Sequence, residues 1–129
     1  MPRNKTVLIV EDEEEILSFV DMLLTDEGYR VKMARNGEEG LLRIREERPG
    51  VILLDLTMPG MDAGEFAARV QSEFGPGIPI VILSAGRDLD KKVRELGADD
   101  FLAKPFDVGE LVAKVEEWTS RASGPTASL

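Results

Sequence analysis

VILLDLTMPGMD, residues 51–62, is the stretch that decides the fold. Its apolar run, Val51-Ile52-Leu53-Leu54, delivers one carboxylate, Asp55, at the point where the run breaks. Leu56, Thr57 and Met58 lead on to Pro59-Gly60, a turn signal. A short apolar run bounded by turn residues reads as a parallel strand buried on both faces. Asp55 then stands at the carboxyl end of a central strand, the edge where open α/β sheets bind ligands. A lone Asp at a strand end is ordinarily a solvated terminator, so its meaning depends on what else the chain brings to that edge.

Upstream, Thr6–Val10 is a β-branched apolar strand that stops at Glu11-Asp12-Glu13-Glu14-Glu15. The helix after it carries Ile16, Phe19, Val20, Leu23 and Leu24 at helical spacing, with acids in its first turn and a stop near Gly28. Residues 29–34 alternate like a strand near a sheet edge. Asn36-Gly37 turns the chain into a helix with Leu41, Leu42 and Ile44, closed by Pro49-Gly50.

Downstream, a helix with Phe66, Ala67 and Val70 runs to Gly75-Pro76-Gly77. Residues 79–83 form a second continuous apolar strand, closing on Ser84-Ala85-Gly86. A weaker helix carries Leu89, Val93 and Leu96 as far as Gly97. The short strand Asp100–Ala103 delivers Lys104-Pro105-Phe106, and a last helix presents Val108, Leu111, Val112, Val115 and Trp118. From Thr119 the apolar period is lost and Ser, Gly, Pro and Thr dominate. Residues 1–120 are therefore expected to be one domain, and 121–129 a disordered tail or linker.

Five strands alternating with five helices imply a doubly wound α/β fold: a five-stranded parallel sheet, helices on both faces, right-handed crossovers. At 129 residues this is one domain with a core of its own, needing no disulfide or structural metal.

Composition removes several kinds of chemistry. There is no Cys and no His, so the chain holds no thiol nucleophile, Ser-His-Asp triad, His-ligated zinc or phosphohistidine of its own. Asp and Glu number 25 against 16 Lys and Arg, a formal net charge of −9, which argues against direct nucleic-acid binding by this segment. No apolar run approaches the roughly 20 residues that span a bilayer, and the start lacks the pattern of a signal peptide. A cytoplasmic location is the expectation.

In a parallel sheet the strands' carboxyl ends share one edge. The sequence places Glu11 and Asp12 after the first strand, Asp55 after the third, Ser84 after the fourth and Lys104 after the fifth. Taken singly these are a capped helix start, a strand terminator, a turn residue and a solvated charge. Their convergence is what suggests a site. Carboxylates held together repel unless a cation relieves them, and the hard cation suited to carboxylates, a carbonyl and waters is Mg²⁺. With Lys104 opposite and a hydroxyl at Ser84, such a site would surround a tetrahedral oxyanion, the wiring of phosphoryl transfer. Asp55 is the natural covalent acceptor.

The ordered set ED, DLTMPGMD, SA and KPF resembles the receiver domain of two-component response regulators over about residues 5–119, and chemotaxis-type single-domain regulators most of all in architecture. The resemblance implies a flavodoxin-like sheet of order 2-1-3-4-5. It implies that Asp55 takes a phosphoryl group from a histidine kinase or phosphotransfer protein. Glu11, Asp12, Asp55 and the backbone carbonyl of Thr57 would hold Mg²⁺, and Lys104 would pair with phosphoryl oxygens. The Ser84 hydroxyl would swing in and Phe101, the switch aromatic, would follow, altering the face built by the fourth helix, fifth strand and fifth helix for a downstream effector. A cis Lys104-Pro105 bond, a monomer or weak phosphorylation-dependent dimer, and no activity beyond its own phosphorylation and dephosphorylation are further implications.

Three departures from the family pattern stand out. Ala63 occupies the place of a usual Gly and would be strained if the turn needs a positive φ there. Thr57 and Gly86 stand where the family tunes dephosphorylation, and Gly86 has no side chain to orient or block water. Phe101 lacks the hydroxyl of the commoner Tyr.

Other readings fit the residues less well. A Mg²⁺-dependent phosphohydrolase typically needs a second acid two residues after its nucleophile, where this chain has Thr57. A flavin-phosphate module would meet Glu11-Asp12 where phosphate-cradling Ser, Thr and Gly belong. A pseudo-receiver interaction module would be expected to lack a site residue, and none is missing.

Overall fold

The computed structural model describes residues 3–57 and 60–123. Strands and helices alternate strictly: β1 (Thr6–Val10), α1 (Glu14–Asp26), β2 (Arg30–Ala34), α2 (Gly37–Glu46), β3 (Val51–Asp55), α3 (Ala63–Phe74), β4 (Ile80–Ser84), α4 (Leu89–Leu96), β5 (Asp100–Ala103) and α5 (Val108–Ser123). The strands pair in parallel in the order β2-β1-β3-β4-β5, the doubly wound, flavodoxin-like sheet expected from the sequence. The order reverses between β1 and β3, which opens a crevice at their carboxyl ends.

The unbroken apolar strands are explained by burial on both faces. Val7, Ile9, Val51, Leu53, Val81 and Leu83 pack against Leu17, Val20 and Leu24 of α1 and Leu111 and Val115 of α5. Leu8, Val10, Ile52, Leu54, Ile80 and Ile82 pack on the other side against Leu41, Ile44, Phe66, Ala67 and Val70 of α2 and α3. Each fully buried aliphatic side chain contributes about 1.5–3 kcal/mol, so the sheet is a stiff platform for the loops at its edge.

At Gly97 and Gly50 the backbone's need for glycine has two different causes. Gly97 ends α4 in the left-handed region, φ 73. At Gly50 a Cβ would lie 2.2 Å from the Asn4 carbonyl oxygen, so nothing larger fits where the chain enters β3.

Several expectations need correction. Leu17, not Phe19, completes the packed stripe of α1, and Phe19 is 39% exposed. Leu42 and Val108 likewise face outward. The loss of apolar period at Thr119 does not end the fold: that residue is buried, its hydroxyl donates to the Val115 carbonyl at 2.7 Å, and α5 continues to Ser123, so residues 121–123 of the expected tail are helical. The remainder of the expected tail, residues 124–129, lies outside the described residues. Ala63 carries no strain, because it is the first residue of α3, and among the described residues of its loop the left-handed one is Gly60, φ 79. The Lys104-Pro105 peptide is cis, as expected. Among the described residues no helix is long and apolar enough to cross a membrane.

Candidate functional site

Strand parity sorts the polar residues at the carboxyl edge. Glu11, Asp55 and Lys104 continue the alternation of Ile9, Leu53 and Leu102, the side covered by α1 and α5. Ser84 and Phe101 continue that of Ile82, the side covered by α2, α3 and α4, and Phe101 packs half-buried against that core. Ser84 and Phe101, the pair expected to act as a switch, therefore sit on the opposite side of the sheet from the acidic pocket's lysine.

Glu11, Asp12 and Asp55 each present a carboxylate oxygen within 4.8 Å of the others. Glu11 and Asp55 are buried and Asp12 is exposed. Lys104 Nζ lies 3.3 Å from Glu11 Oε1 and 3.3 Å from Asp55 Oδ1. The remaining oxygens have partners too: the Glu13 N–H donates to Glu11 Oε2 at 3.2 Å, and the Thr57 hydroxyl donates to Asp55 Oδ2 at 2.8 Å.

Charge is unbalanced in this cluster. Burial pushes the Glu11 carboxyl above its ordinary range and the Asp55 charge adds to that, while the Glu13 N–H and Lys104 oppose without prevailing. Burial works to lower the Lys104 ammonium, but the charges of Asp55 and Glu11 outweigh it and hold the group above its ordinary value. Three acids facing one lysine leave a net negative pocket built only of oxygen donors. That donor set suits a hard divalent cation such as Mg²⁺, and Glu11, Asp12 and Asp55 are the residues able to hold it.

Ser84 sits at the end of β4, its Oγ accepting the Gly86 N–H at 3.0 Å, which holds the hydroxyl back in the β4–α4 loop. The structure thus brings Glu11, Asp12, Asp55 and Lys104 together, sets Thr57 against Asp55, and leaves the Ser84 hydroxyl bonded to the Gly86 N–H and the Phe101 ring packed on the other core. The Thr57 hydroxyl contact to Asp55 adds to the roles expected of that residue, and its signal in the sequence is the Asp-x-Thr spacing, which favours a hydroxyl turning back on a strand end. Helical spacing alone puts Phe19 on the core stripe, whereas the structure leaves it exposed. With Ile16, Ala85, Pro105 and Phe106, that ring lines an apolar groove beside Lys104.

The family model for the response regulator receiver domain matches residues 7–116. The chain is similar to response regulator GtcR of Aneurinibacillus migulanus, 38% identical over 121 residues, covering 92% of this chain and 49% of that protein. It spans about half the length of the curated relatives it matches. Its fold is similar to the chemotaxis response regulator CheY4 of Vibrio cholerae, with TM-score 0.79, 32% identity, and 88% and 98% of the two chains covered. It is similar also to the receiver domain of sensor histidine kinase PA1611 of Pseudomonas aeruginosa, with TM-score 0.81, 28% identity, and 91% and 98% covered. That structure holds a magnesium ion in its active-site cleft.

Proposed function

The chain belongs to the response regulator receiver domain family, and on that premise we propose that it is a signalling switch whose Asp55 accepts a phosphoryl group from a histidine kinase or phosphotransfer protein. One observation carries this reading: a buried Asp55 whose Oδ1 faces Lys104 at 3.3 Å, inside a cluster of three converging carboxylates.

An Asp55 oxygen forms the new P–O bond as the P–N bond to the donor's imidazole breaks. The electron pair stays on that nitrogen, which then takes a proton from solvent. Lys104 balances charge on the phosphoryl oxygens as they leave the donor. Glu11, Asp12, Asp55 and the Thr57 carbonyl would hold Mg²⁺, which when bound neutralises phosphoryl charge. Ala85 is small and exposed, leaving room for the donor's histidine, and the groove of Ile16, Phe19, Pro105 and Phe106 offers apolar surface to the protein that carries it.

The new charge draws the Ser84 hydroxyl away from the Gly86 N–H. Phe101 moves into the space released, and the face of α4, β5 and α5 changes for a downstream effector. The chain acts on its own Asp55 and on no separate substrate, works in the cytoplasm as a monomer or weak phosphorylation-dependent dimer, and does not itself contact nucleic acid. Intact mass after incubation with acetyl phosphate tests the reading. One phosphoryl adduct is expected with Mg²⁺ and none with EDTA; a mass unchanged under both conditions counts against it and favours a pseudo-receiver.

A further inference from the structure

Lys92, half-buried on α4, makes no ion pair among the described residues. It lines the groove between α3 and α4 with Leu56, Asp62, Gly64, Glu95 and Leu96. The acids in that groove are engaged elsewhere: Asp62 caps α3 through the Glu65 N–H at 2.7 Å, and Glu95 faces Lys91 at 4.0 Å. The stem of Lys92 reaches back over Gly86. The point a Cβ would occupy at Gly86 is 3.8 Å from Lys92 Cε and 3.3 Å from Ser84 Oγ. The stem of a lysine with no ion pair among the described residues and the Ser84 hydroxyl thus border the space that a side chain at position 86 would fill.

The attachment of α4 allows movement. It is eight residues long, only Leu89 in it is buried, and its N-cap is Asp88, a non-glycine residue at φ 54 whose side chain caps nothing. When the Ser84 hydroxyl turns to a phosphoryl group, the Gly86 N–H loses its acceptor and the turn holding α4 is released.

We propose that Lys92 is a second cationic ligand of the phosphoryl group, folding across Gly86 onto the aspartyl phosphate. This rests on the phosphorylation of Asp55 proposed above. With Lys104 on the α1/α5 side and Lys92 arriving from α4, the phosphoryl oxygens are held from both sides of the sheet edge. The same closure slows loss of the group. In hydrolysis a water oxygen bonds to phosphorus, the bond from phosphorus to Asp55 breaks with its electron pair returning to the carboxylate, a water proton goes to solvent, and inorganic phosphate departs. An ammonium and its stem lying over Gly86 occupy the open mouth through which that water enters.

The test uses Lys92→Gln and Lys92→Arg beside the wild-type chain. Beryllofluoride affinity is read by fluorine NMR in Mg²⁺, and the lifetime of the acetyl-phosphate adduct by intact mass. K92Q is expected to bind beryllofluoride about tenfold more weakly and to lose its phosphoryl group several-fold faster, with K92R close to wild type. Thermal midpoints of the unmodified proteins stay together, since Lys92 has no partner to lose. If K92Q forms the adduct and keeps wild-type affinity and lifetime, or if K92R behaves as K92Q does, this role for Lys92 is wrong and the Asp55 reading stands. If the wild-type chain forms no adduct, both are overturned.

Discussion

The Thr57 hydroxyl donates a 2.8 Å hydrogen bond to Asp55 Oδ2, while Asp55 Oδ1 faces Lys104 at 3.3 Å. The two oxygens of the proposed nucleophile are therefore not equivalent before any donor arrives. A hydrogen bond to an ionised acceptor stabilises its charge and reduces its reactivity. Thr57→Ala frees that oxygen, and the initial rate of acetyl-phosphate labelling at fixed pH and Mg²⁺ should rise, by up to about tenfold. A slower T57A would mean the hydroxyl orients the carboxylate more than it quiets it.

Among the described residues Lys104 is the one cation in contact with both Glu11 and Asp55. Lys104→Met leaves Glu11 and Asp55 facing each other uncompensated. Because Lys104 is partly exposed, the cost falls between that of a surface and a buried pair, on the order of 2 kcal/mol. Urea unfolding in EDTA measures it, and saturating Mg²⁺ should recover most of the loss.

Glu11 gives the chain without metal a definite pH dependence. Its folded-state pKa is raised above the ordinary value of 4.5, so the folded chain holds this proton more tightly than the unfolded one. The stabilisation is present below that ordinary value and is lost as pH rises through the raised one. Glu11→Gln stays neutral throughout. Its urea midpoint should exceed wild type at neutral pH, with the gap closing as the pH falls to about 4. Lys104, shifted upward by the same acids, stays charged across that window.

Fold and site can be damaged separately. Gly50→Ala puts a Cβ 2.2 Å from the Asn4 carbonyl, at the sheet edge opposite Asp55, and forces backbone apart. We expect about 1–3 kcal/mol lost in urea unfolding, with the labelling rate of the folded protein unchanged.

The sheet was legible because strands buried on both faces read as unbroken apolar runs, and the site because such strands can carry polar groups only where they end. What was missed depends on distance in the chain. Phe19 and Leu17 both adjoin a helical stripe, and only the sheet's position decides which packs inward. Thr119 looked like the start of a tail, yet its hydroxyl meets both the Val115 carbonyl and the guanidinium of Arg3, 116 residues away. Lys92 belongs to the same class: nothing in its own helix marks a lysine that lies over Gly86.

The most direct measurement of the central claim is the location of the phosphoryl group. Borohydride reduces an aspartyl phosphate to homoserine, and tandem mass spectrometry of the labelled, reduced and digested chain identifies the converted residue. We predict homoserine at position 55 alone, and none in Asp55→Asn. Conversion at Asp12, or an adduct that survives in Asp55→Asn, would contradict the account.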